Sequence, residues 1–142
     1  MGASHEGFET RVRDSFGRQT FMRTLGATLE EVGEGRTMIR LRRDRAFGQQ
    51  HGYLHAGALI AVLDSACGYA ALSVAAPGSE VLTAELKVNL LAPAAGAAVI
   101  ARGRVVRAGR TLVVCQGNAH DADDPSKHLA TMLATMVVVP AP

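Results

Sequence analysis

Residues 56–74 read AGALIAVLDSACGYAALSV, an apolar stretch with a single charged side chain, that of Asp64. The stretch predicts one long helix that begins near Ala56 and ends near Val74, before Pro77. Burying an ionised carboxylate is costly unless it is paired or reaches water. Asp64 is therefore a candidate catalytic base or nucleophile, and the simpler alternative is a helix carboxylate that reaches water or a partner.

The composition indicates one globular domain, which we expect to span residues 1–142. Of these residues, 48% are hydrophobic and 20% are charged, and a chain of this length can bury roughly two thirds of its unfolded surface. The formal net charge of +2 arises from arginines and lysines scattered along the chain. Scattered cations are weak evidence for a polyanionic partner, so we expect no nucleic-acid partner.

The cysteines and the first residues bear on the cellular location. Cys67 and Cys115 favour buried thiols in a reducing compartment over a lone disulfide. Residues 1–9 are polar and lack the pattern of a secretory signal. Polar residues inside the apolar stretch, Asp64 among them, favour a helix buried in a sheet over a membrane span. We therefore expect a cytoplasmic protein with no membrane partner.

Helical and alternating patterns divide the rest of the chain into one short helix and six strands. Apolar residues at intervals of four or five predict an amphipathic helix over about residues 6–25, interrupted at Gly17. Two strands joined by a turn at residues 33–35 come next, and residues 42–53 are predicted to form a loop. The predicted strands are 28–32, 37–41, 81–91, 97–107, 111–119 and 129–139.

This order of elements predicts an α+β fold in which an antiparallel sheet wraps around one long central helix. The last strand carries apolar residues on both faces, for example Leu129, Met132 and Leu133. One face can pack on the helix, and the other face needs cover. We therefore expect a homo-oligomer that forms through sheet faces or edges.

The start of the long helix is a second part of the predicted site. Gly57 lies where the first backbone N–H groups have no carbonyl partner, and such an end can hold an oxyanion. Asp64 lies seven residues later, roughly 10 Å along the helix axis. The two groups are therefore too far apart in one chain to act easily on one carbonyl. Two antiparallel helices across a twofold axis bring Gly57 of one chain to Asp64 of the other, which predicts a dimer with two shared sites.

The residues around the start of the helix resemble a known family signature. Residues 49–57 read QQHGYLHAG and are followed by Asp64, Ser65 and Ala66. This pattern resembles the Asn-x-x-Gly-x-x-His-Gly-Gly and Asp-x-Ala signature of PaaI-like acyl-CoA thioesterases, in the hotdog-fold superfamily. The resemblance implies a hotdog fold, hydrolysis of an acyl-CoA to a carboxylic acid and coenzyme A, no metal or other cofactor, and a homotetramer.

The resemblance also implies roles for individual residues. Asp64 matches the acid that activates the hydrolytic water or attacks the thioester carbonyl, and the backbone N–H of Gly57 matches the group that polarises that carbonyl. Gln49 matches an amide that holds the water or the acyl carbonyl. His55 matches the histidine at the mouth of the helix, and Thr83 matches a hydroxyl that positions the water.

Two arginines and two departures from the signature complete the comparison. Arg107 and Arg110, on a predicted hairpin, are candidates for binding the phosphates of coenzyme A, although exposed arginines are common on hairpins.

Gln49 replaces the usual asparagine, and the neighbouring Gln50 leaves the register uncertain by one residue. Ala56 replaces the middle glycine and lowers the backbone freedom at the turn into the helix.

Other classes of site fit the sequence less well. His51 and His55 have the spacing of metal ligands on a helix, but the segment reads as a loop. Ser65 lacks the surroundings of a serine-hydrolase nucleophile, and Cys67 lacks an electropositive setting. An enoyl-CoA hydratase carries its acid and histidine in the opposite order. A non-catalytic acyl-CoA-binding protein is the main alternative, and an aryl or a medium-chain acyl group remains equally compatible with the sequence.

Overall fold

The long apolar stretch forms one helix, and the other elements are arranged around it. The computed structural model describes residues 7–142 of the chain. Its helices are α1 (Phe8–Arg18), α2 (Thr20–Leu25) and α3 (Ala56–Val74), with a short 3-10 turn at Arg45–Phe47. Its strands are β1 (Thr28–Gly33), β2 (Arg36–Arg42), β3 (Ser79–Leu90), β4 (Ala98–Ala108), β5 (Leu112–Asp121) and β6 (His128–Pro140).

The six strands form one antiparallel sheet in the order β1-β2-β4-β5-β6-β3. The sheet wraps around α3, and the side chains on its inner face, such as Ile39, Ala101 and Met132, are buried against the helix. By length and composition α3 could cross a membrane, but most of it is buried inside the fold. The predicted α+β class and the hotdog fold are confirmed, because a sheet wrapped around one long helix defines that fold.

Small residues let α3 lie unusually close to the sheet. Gly103 of β4 pairs with Gly117 of β5 on the inner face. A Cβ atom at Gly103 would lie 2.3 Å from the carbonyl oxygen of Ala66, well inside van der Waals contact. The hydroxyl of Thr37 donates a 2.7 Å hydrogen bond to that same carbonyl oxygen. The middle of α3, two residues beyond Asp64, is therefore fixed directly on the sheet.

The N-terminal segment forms two helices that break at Gln19. The sequence predicted one helix interrupted at Gly17, and that position is wrong because Gly17 continues α1. The predicted start, residue 6, lies outside the described residues. Gln19 has an extended backbone (φ −77°, ψ 105°), which separates α1 from α2. Its side chain bonds to α3 instead, so a tertiary contact sets the position of the break.

Arg11 attaches α1 to the C-terminal end of α3. Its guanidinium donates to the carbonyl oxygens of Leu72, Ala75 and Ala76 at 2.6, 2.8 and 3.1 Å. Leu72 belongs to the last turn of α3, and Ala75 and Ala76 follow it directly, at the helix end where a cation is favourable. The sheet and the N-terminal helices thereby hold α3 from both sides.

Candidate active site

Asp64 and Thr83 meet at the centre of the candidate active site. Asp64 lies on a half-buried face of α3, and the hydroxyl of Thr83 donates to its Oδ1 at 2.7 Å. Thr83 Oγ1 also contacts the sulfur of Met136 at 3.4 Å. The carboxylate therefore has a fixed orientation and an adjacent cavity, as a base or nucleophile requires.

A β-bulge directs Thr83 toward α3. Thr83 pairs with Met136 on the inner face, whereas Glu85 pairs with Thr135 on the outer face, and Ala84 between them has no partner in the register. In a regular strand, residues two apart share a face, so Thr83 and Glu85 would point the same way. The bulge keeps Thr83 on the Asp64 side and sends Glu85 to the outer surface, where it accepts from Thr135 at 2.8 Å.

The cavity beside Asp64 has a volume of about 380 Å³. Its walls come from α3, the inner face of β3 and β6, and the N-terminal helices. The sequence did not identify the N-terminal part of this wall, because Gln19 and Tyr69 are distant along the chain. The residues lining the cavity are Ser15, Arg18, Gln19, Asp64, Ser65, Gly68, Tyr69, Leu72, Glu80, Val81, Thr83 and Met136.

His55 and Gly57 form the cap of α3. His55 is the N-cap residue, and its Nδ1 accepts a 2.7 Å hydrogen bond from the backbone N–H of Gly57. Because Nδ1 is the acceptor, a neutral ring carries its proton on Nε2, which is then available as a donor. Gly57 also gives the ring room, since a Cβ atom there would lie 3.0 Å from Nδ1. The predicted oxyanion donor thus already has an acceptor within the chain.

Gln49 faces the same cavity as His55. This cavity has a volume of about 510 Å³ and includes Gln49, His55 and the Leu90–Ala94 segment. Gln50 is exposed, so the structure places Gln49 rather than Gln50 beside His55. The Gln49 side-chain oxygen accepts from the backbone N–H groups of His51 and Tyr53. Since those groups can only donate, the Gln49 amide nitrogen points away from them, and within residues 7–142 it has no hydrogen-bond acceptor.

The predicted site residues fall into separate groups in one chain. Asp64 and Thr83 share one cavity, while Gln49 and His55 share another. Gly57 lines a shallow depression next to His55 and does not reach the Asp64 cavity. Asp64 lies seven residues after Gly57 in the helix, roughly 10 Å along the axis. A single chain therefore does not bring the acid and the predicted carbonyl-polarising groups together.

Arg107 and Arg110 form a third group at the opposite end of α3. Both are exposed, and both line a broad cavity of about 830 Å³ next to Val74 and Ala75. Arg107 belongs to the end of β4, and Arg110 to the turn that precedes β5. In one chain they lie far from Gln49 and His55, which flank the start of α3.

The two cysteines are buried thiols, and their environment opposes nucleophilic chemistry. Both are free and buried. Burial, with smaller contributions from Cys115 and Asp64, raises the pKa of Cys67 well above its ordinary value, and burial raises the pKa of Cys115 to about 12. A thiol is nucleophilic as the thiolate, so Cys67 beside the site is unreactive near neutral pH.

Comparison with known proteins identifies the family. The model of the Thioesterase superfamily matches residues 51–127, which include Asp64, Gly57 and Thr83. The chain belongs to the Thioesterase superfamily. The sheet wrapped around α3 fits this family, and membership of it supports thioester hydrolysis as the class of activity.

Solved and curated relatives agree with this assignment. A thioesterase family protein from Silicibacter pomeroyi is 46% identical, with a TM-score of 0.92 over 95% of this chain and 100% of that one. The PaaI protein of E. coli is 16% identical and shares the fold alone, with a TM-score of 0.87 over 98% of each chain. A Saccharolobus solfataricus protein whose name assigns it to the esterases is 33% identical over 90 residues, 63% of this chain. The match spans 64% of that relative's length.

Proposed function

We propose that this thioesterase hydrolyses an acyl-CoA to a carboxylic acid and free coenzyme A. The observation that carries the proposal is the hydrogen bond between Thr83 and Asp64 at the wall of an open cavity of about 380 Å³. A carboxylate held in this way can accept a proton from water or attack a carbonyl carbon. Membership of the Thioesterase superfamily supports a thioester as the bond that breaks.

Two chemical routes use the same carboxylate. In the general-base route, Asp64 takes a proton from water, the water oxygen attacks the carbonyl, the C–S bond breaks, and the proton passes to the leaving thiolate. In the nucleophilic route, Asp64 attacks the carbonyl, the thiolate leaves, and water hydrolyses the mixed anhydride. Thr83 orients the carboxylate or the water in both routes. Hydroxylamine traps Asp64 as a hydroxamate only in the nucleophilic route, and mass spectrometry of the quenched enzyme detects that product.

We propose that the second chain of a dimer supplies the groups that polarise the carbonyl. Three potential donors lie at the start of α3: the backbone N–H of Gly57, the side-chain amide of Gln49 and the Nε2–H of a neutral His55 ring. In a single chain the backbone N–H of Gly57 donates to the His55 ring. The thioester oxygen must therefore displace that ring in order to accept the hydrogen bond from Gly57. Donors aimed at a developing oxyanion stabilise the transition state, by about 2.7–4 kcal/mol for one donor in comparable sites.

The edge strand β3 supports the dimer. It is the last strand of the sheet, so one side of its backbone lacks a strand neighbour in the described chain. Leu90 lies on the inner face and is 52% exposed, and Leu82 on the outer face is 59% exposed. A long edge strand with exposed leucines favours pairing with a second copy. We propose that two chains pair at this edge, and that two such dimers form the homotetramer.

Arg107 and Arg110 are proposed to bind the phosphates of coenzyme A. Both guanidinium groups are exposed at the rim of a broad cavity, and a guanidinium is well suited to phosphate oxygens. We further propose that residues 1–142 act as one cytoplasmic hotdog domain that needs no metal or other cofactor. The acyl-CoA substrate and further copies of the chain are its proposed partners.

A panel of acyl-CoA esters tests this proposal. Release of free thiol is measured for the wild type and for Asp64→Ala, with circular dichroism as the check on folding. We expect turnover in the wild type and a loss of a few orders of magnitude in the variant. Unchanged turnover in Asp64→Ala rejects the assigned role. Tight acyl-CoA binding without turnover in the wild type identifies a non-catalytic acyl-CoA-binding protein instead.

A further inference from the structure

The break between α1 and α2 forms one wall of the Asp64 cavity. Gln19, the residue at the break, bonds to two side chains of α3. Its Oε1 accepts from the hydroxyl of Ser65 at 3.1 Å, and its Nε2 donates to the hydroxyl oxygen of Tyr69 at 2.9 Å. Ser65 is the neighbour of Asp64 in the chain. Gln19 therefore holds the N-terminal helices against the part of α3 that carries the candidate catalytic carboxylate.

The directions of these hydrogen bonds leave the O–H of Tyr69 available as a donor. Gln19 Nε2 can only donate, so the oxygen of Tyr69 is the acceptor and its own O–H proton must go elsewhere. Among residues 7–142, the other contact of the Tyr69 oxygen is with Ser15 Oγ at 3.4 Å, and there the Ser15 hydroxyl is the donor. Hydroxyl-to-oxygen hydrogen bonds are normally about 2.5–3.0 Å long. The Tyr69 hydroxyl therefore has no good acceptor for its proton, although only 7% of Tyr69 is exposed to solvent.

The surroundings of Tyr69 give the cavity two kinds of lining. Leu72, Val81 and Met136 are apolar and suit the carbon skeleton of an acyl group. Ser15, Arg18, Gln19 and the Tyr69 hydroxyl are polar or charged and lie on the wall formed with the N-terminal helices, and Glu80 of β3 adds a carboxylate. A pocket with apolar walls and a few placed polar groups is the usual design of a selective ligand site.

We infer that Tyr69 selects acyl groups that carry an oxygen acceptor at their distal end, and that Gln19 is a positioning residue for this contact. The inference rests on the proposed function, because the acyl group must enter the Asp64 cavity. Tyr69 lies five residues after Asp64, about 7.5 Å along the helix axis. The distal oxygen therefore lies about five or six bonds from the thioester carbonyl. A site that hydrogen-bonds a substrate oxygen discriminates against an analogue lacking it, because the buried donor then stays unpaired.

The test compares two esters that differ by one oxygen, hexanoyl-CoA and 6-hydroxyhexanoyl-CoA. For the wild type we expect kcat/KM to favour the hydroxylated ester by about 10-fold, the value of one net hydrogen bond. In Tyr69→Phe, which keeps the ring that packs edge-on against Phe16, we expect the ratio to fall to about one. In Gln19→Ala we expect the ratio to fall mainly through KM. Gln116→Ala is the matched control, because Gln116 lies on the outer face of the sheet and bonds to Arg104.

Binding measurements separate this inference from the proposed function. Calorimetric titration of Asp64→Ala with the same two esters gives the ratio of Kd values without turnover. A ratio near 10 that falls in Asp64→Ala/Tyr69→Phe supports the selection, even when no hydrolysis occurs in the wild type and the proposed function fails. A ratio near one in Asp64→Ala, or a ratio unaffected by loss of the Tyr69 hydroxyl, overturns the inference and leaves the proposed hydrolysis standing.

Discussion

The hydroxyl of Thr83 donates a 2.7 Å hydrogen bond to Oδ1 of Asp64, across the gap between an edge strand and the central helix. Valine at position 83 preserves the branched shape and removes the donor, so the carboxylate loses its fixed orientation. We expect kcat to fall about 10-fold or more in Thr83→Val, since groups aligned for catalysis are sensitive to small displacements. Thr83→Ser keeps the hydroxyl and is expected to retain most of the activity.

The matched control for this prediction is Thr135→Val. Thr135 also donates to a carboxylate of β3, that of Glu85, at 2.8 Å, but on the outer face of the sheet. Steady-state kinetics of the three variants should separate the site from general effects of losing such a bond. An equal fall in kcat for Thr83→Val and Thr135→Val contradicts a specific role for Thr83.

Gly103 permits the close approach of α3 to the sheet, and we expect Gly103→Ala to be strongly destabilising. The added Cβ would lie 2.3 Å from the carbonyl oxygen of Ala66, and backbone atoms cannot move aside cheaply. Overpacking of this kind costs about 1–3 kcal/mol. Urea unfolding measures the change, with Gly17→Ala as control. Gly17 lies in α1 with open space around it, so alanine there should stabilise the helix by about 0.5–1 kcal/mol.

Arg11 holds α1 on the end of α3, and we expect Arg11→Met to lower the free energy of unfolding by about 2 kcal/mol. The side chain donates to three carbonyl oxygens, and hydrogen bonds to charged groups contribute about 1.5–3 kcal/mol each before losses from solvent exposure. Arg13→Met removes only an exposed i,i+4 pair with Glu9 and should change stability by less than about 0.5 kcal/mol. An equal change in the free energy of unfolding for Arg11→Met and Arg13→Met would contradict a stabilising role for the Arg11 hydrogen bonds to the end of α3.

The buried thiols predict a loss of stability at alkaline pH. The pKa of each cysteine is raised above its ordinary value of 9.0, for Cys115 to about 12. The folded chain therefore keeps protons that the unfolded chain releases, so this stabilisation is present below pH 9 and is lost as the pH rises from 9 toward 12. Each thiol contributes a slope of up to about 1.4 kcal/mol per pH unit. Urea unfolding between pH 8 and 11 should give a shallower slope for Cys67→Ala/Cys115→Ala, and parallel slopes would contradict this effect.

The sequence was sufficient for the elements whose signals are local. The ends of α3 were predicted correctly, because an apolar run bounded by a turn on one side and Pro77 on the other is read within about twenty residues. The strand limits agree with the structure to within about two residues, which is the usual uncertainty of such boundaries. The break in the N-terminal helix was misplaced by two residues, because Gln19 owes its conformation to Ser65 and Tyr69 rather than to its neighbours.

The site was only partly predictable for the same reason. Asp64 was identified from its apolar surroundings, and Thr83 from a family resemblance. The bulge at Ala84 that aims Thr83 at Asp64 leaves no clear mark in the residue pattern. The wall formed by Ser15, Gln19 and Tyr69 depends on contacts between positions about fifty residues apart. Such pairings follow from the packing of whole elements, so local pattern cannot reveal them.

Mixing two variants, each of which lacks one half of the proposed site, tests most directly whether two chains share one site. Asp64→Ala and Gln49→Ala are purified separately, unfolded together and refolded, and acyl-CoA hydrolysis is measured against each variant refolded alone. In a shared-site dimer, each mixed pair has one intact site out of two, and random pairing makes half of the dimers mixed. We therefore predict recovery to roughly one quarter of wild-type activity. Activity that stays at the mean of the two variants alone would contradict a site shared between chains.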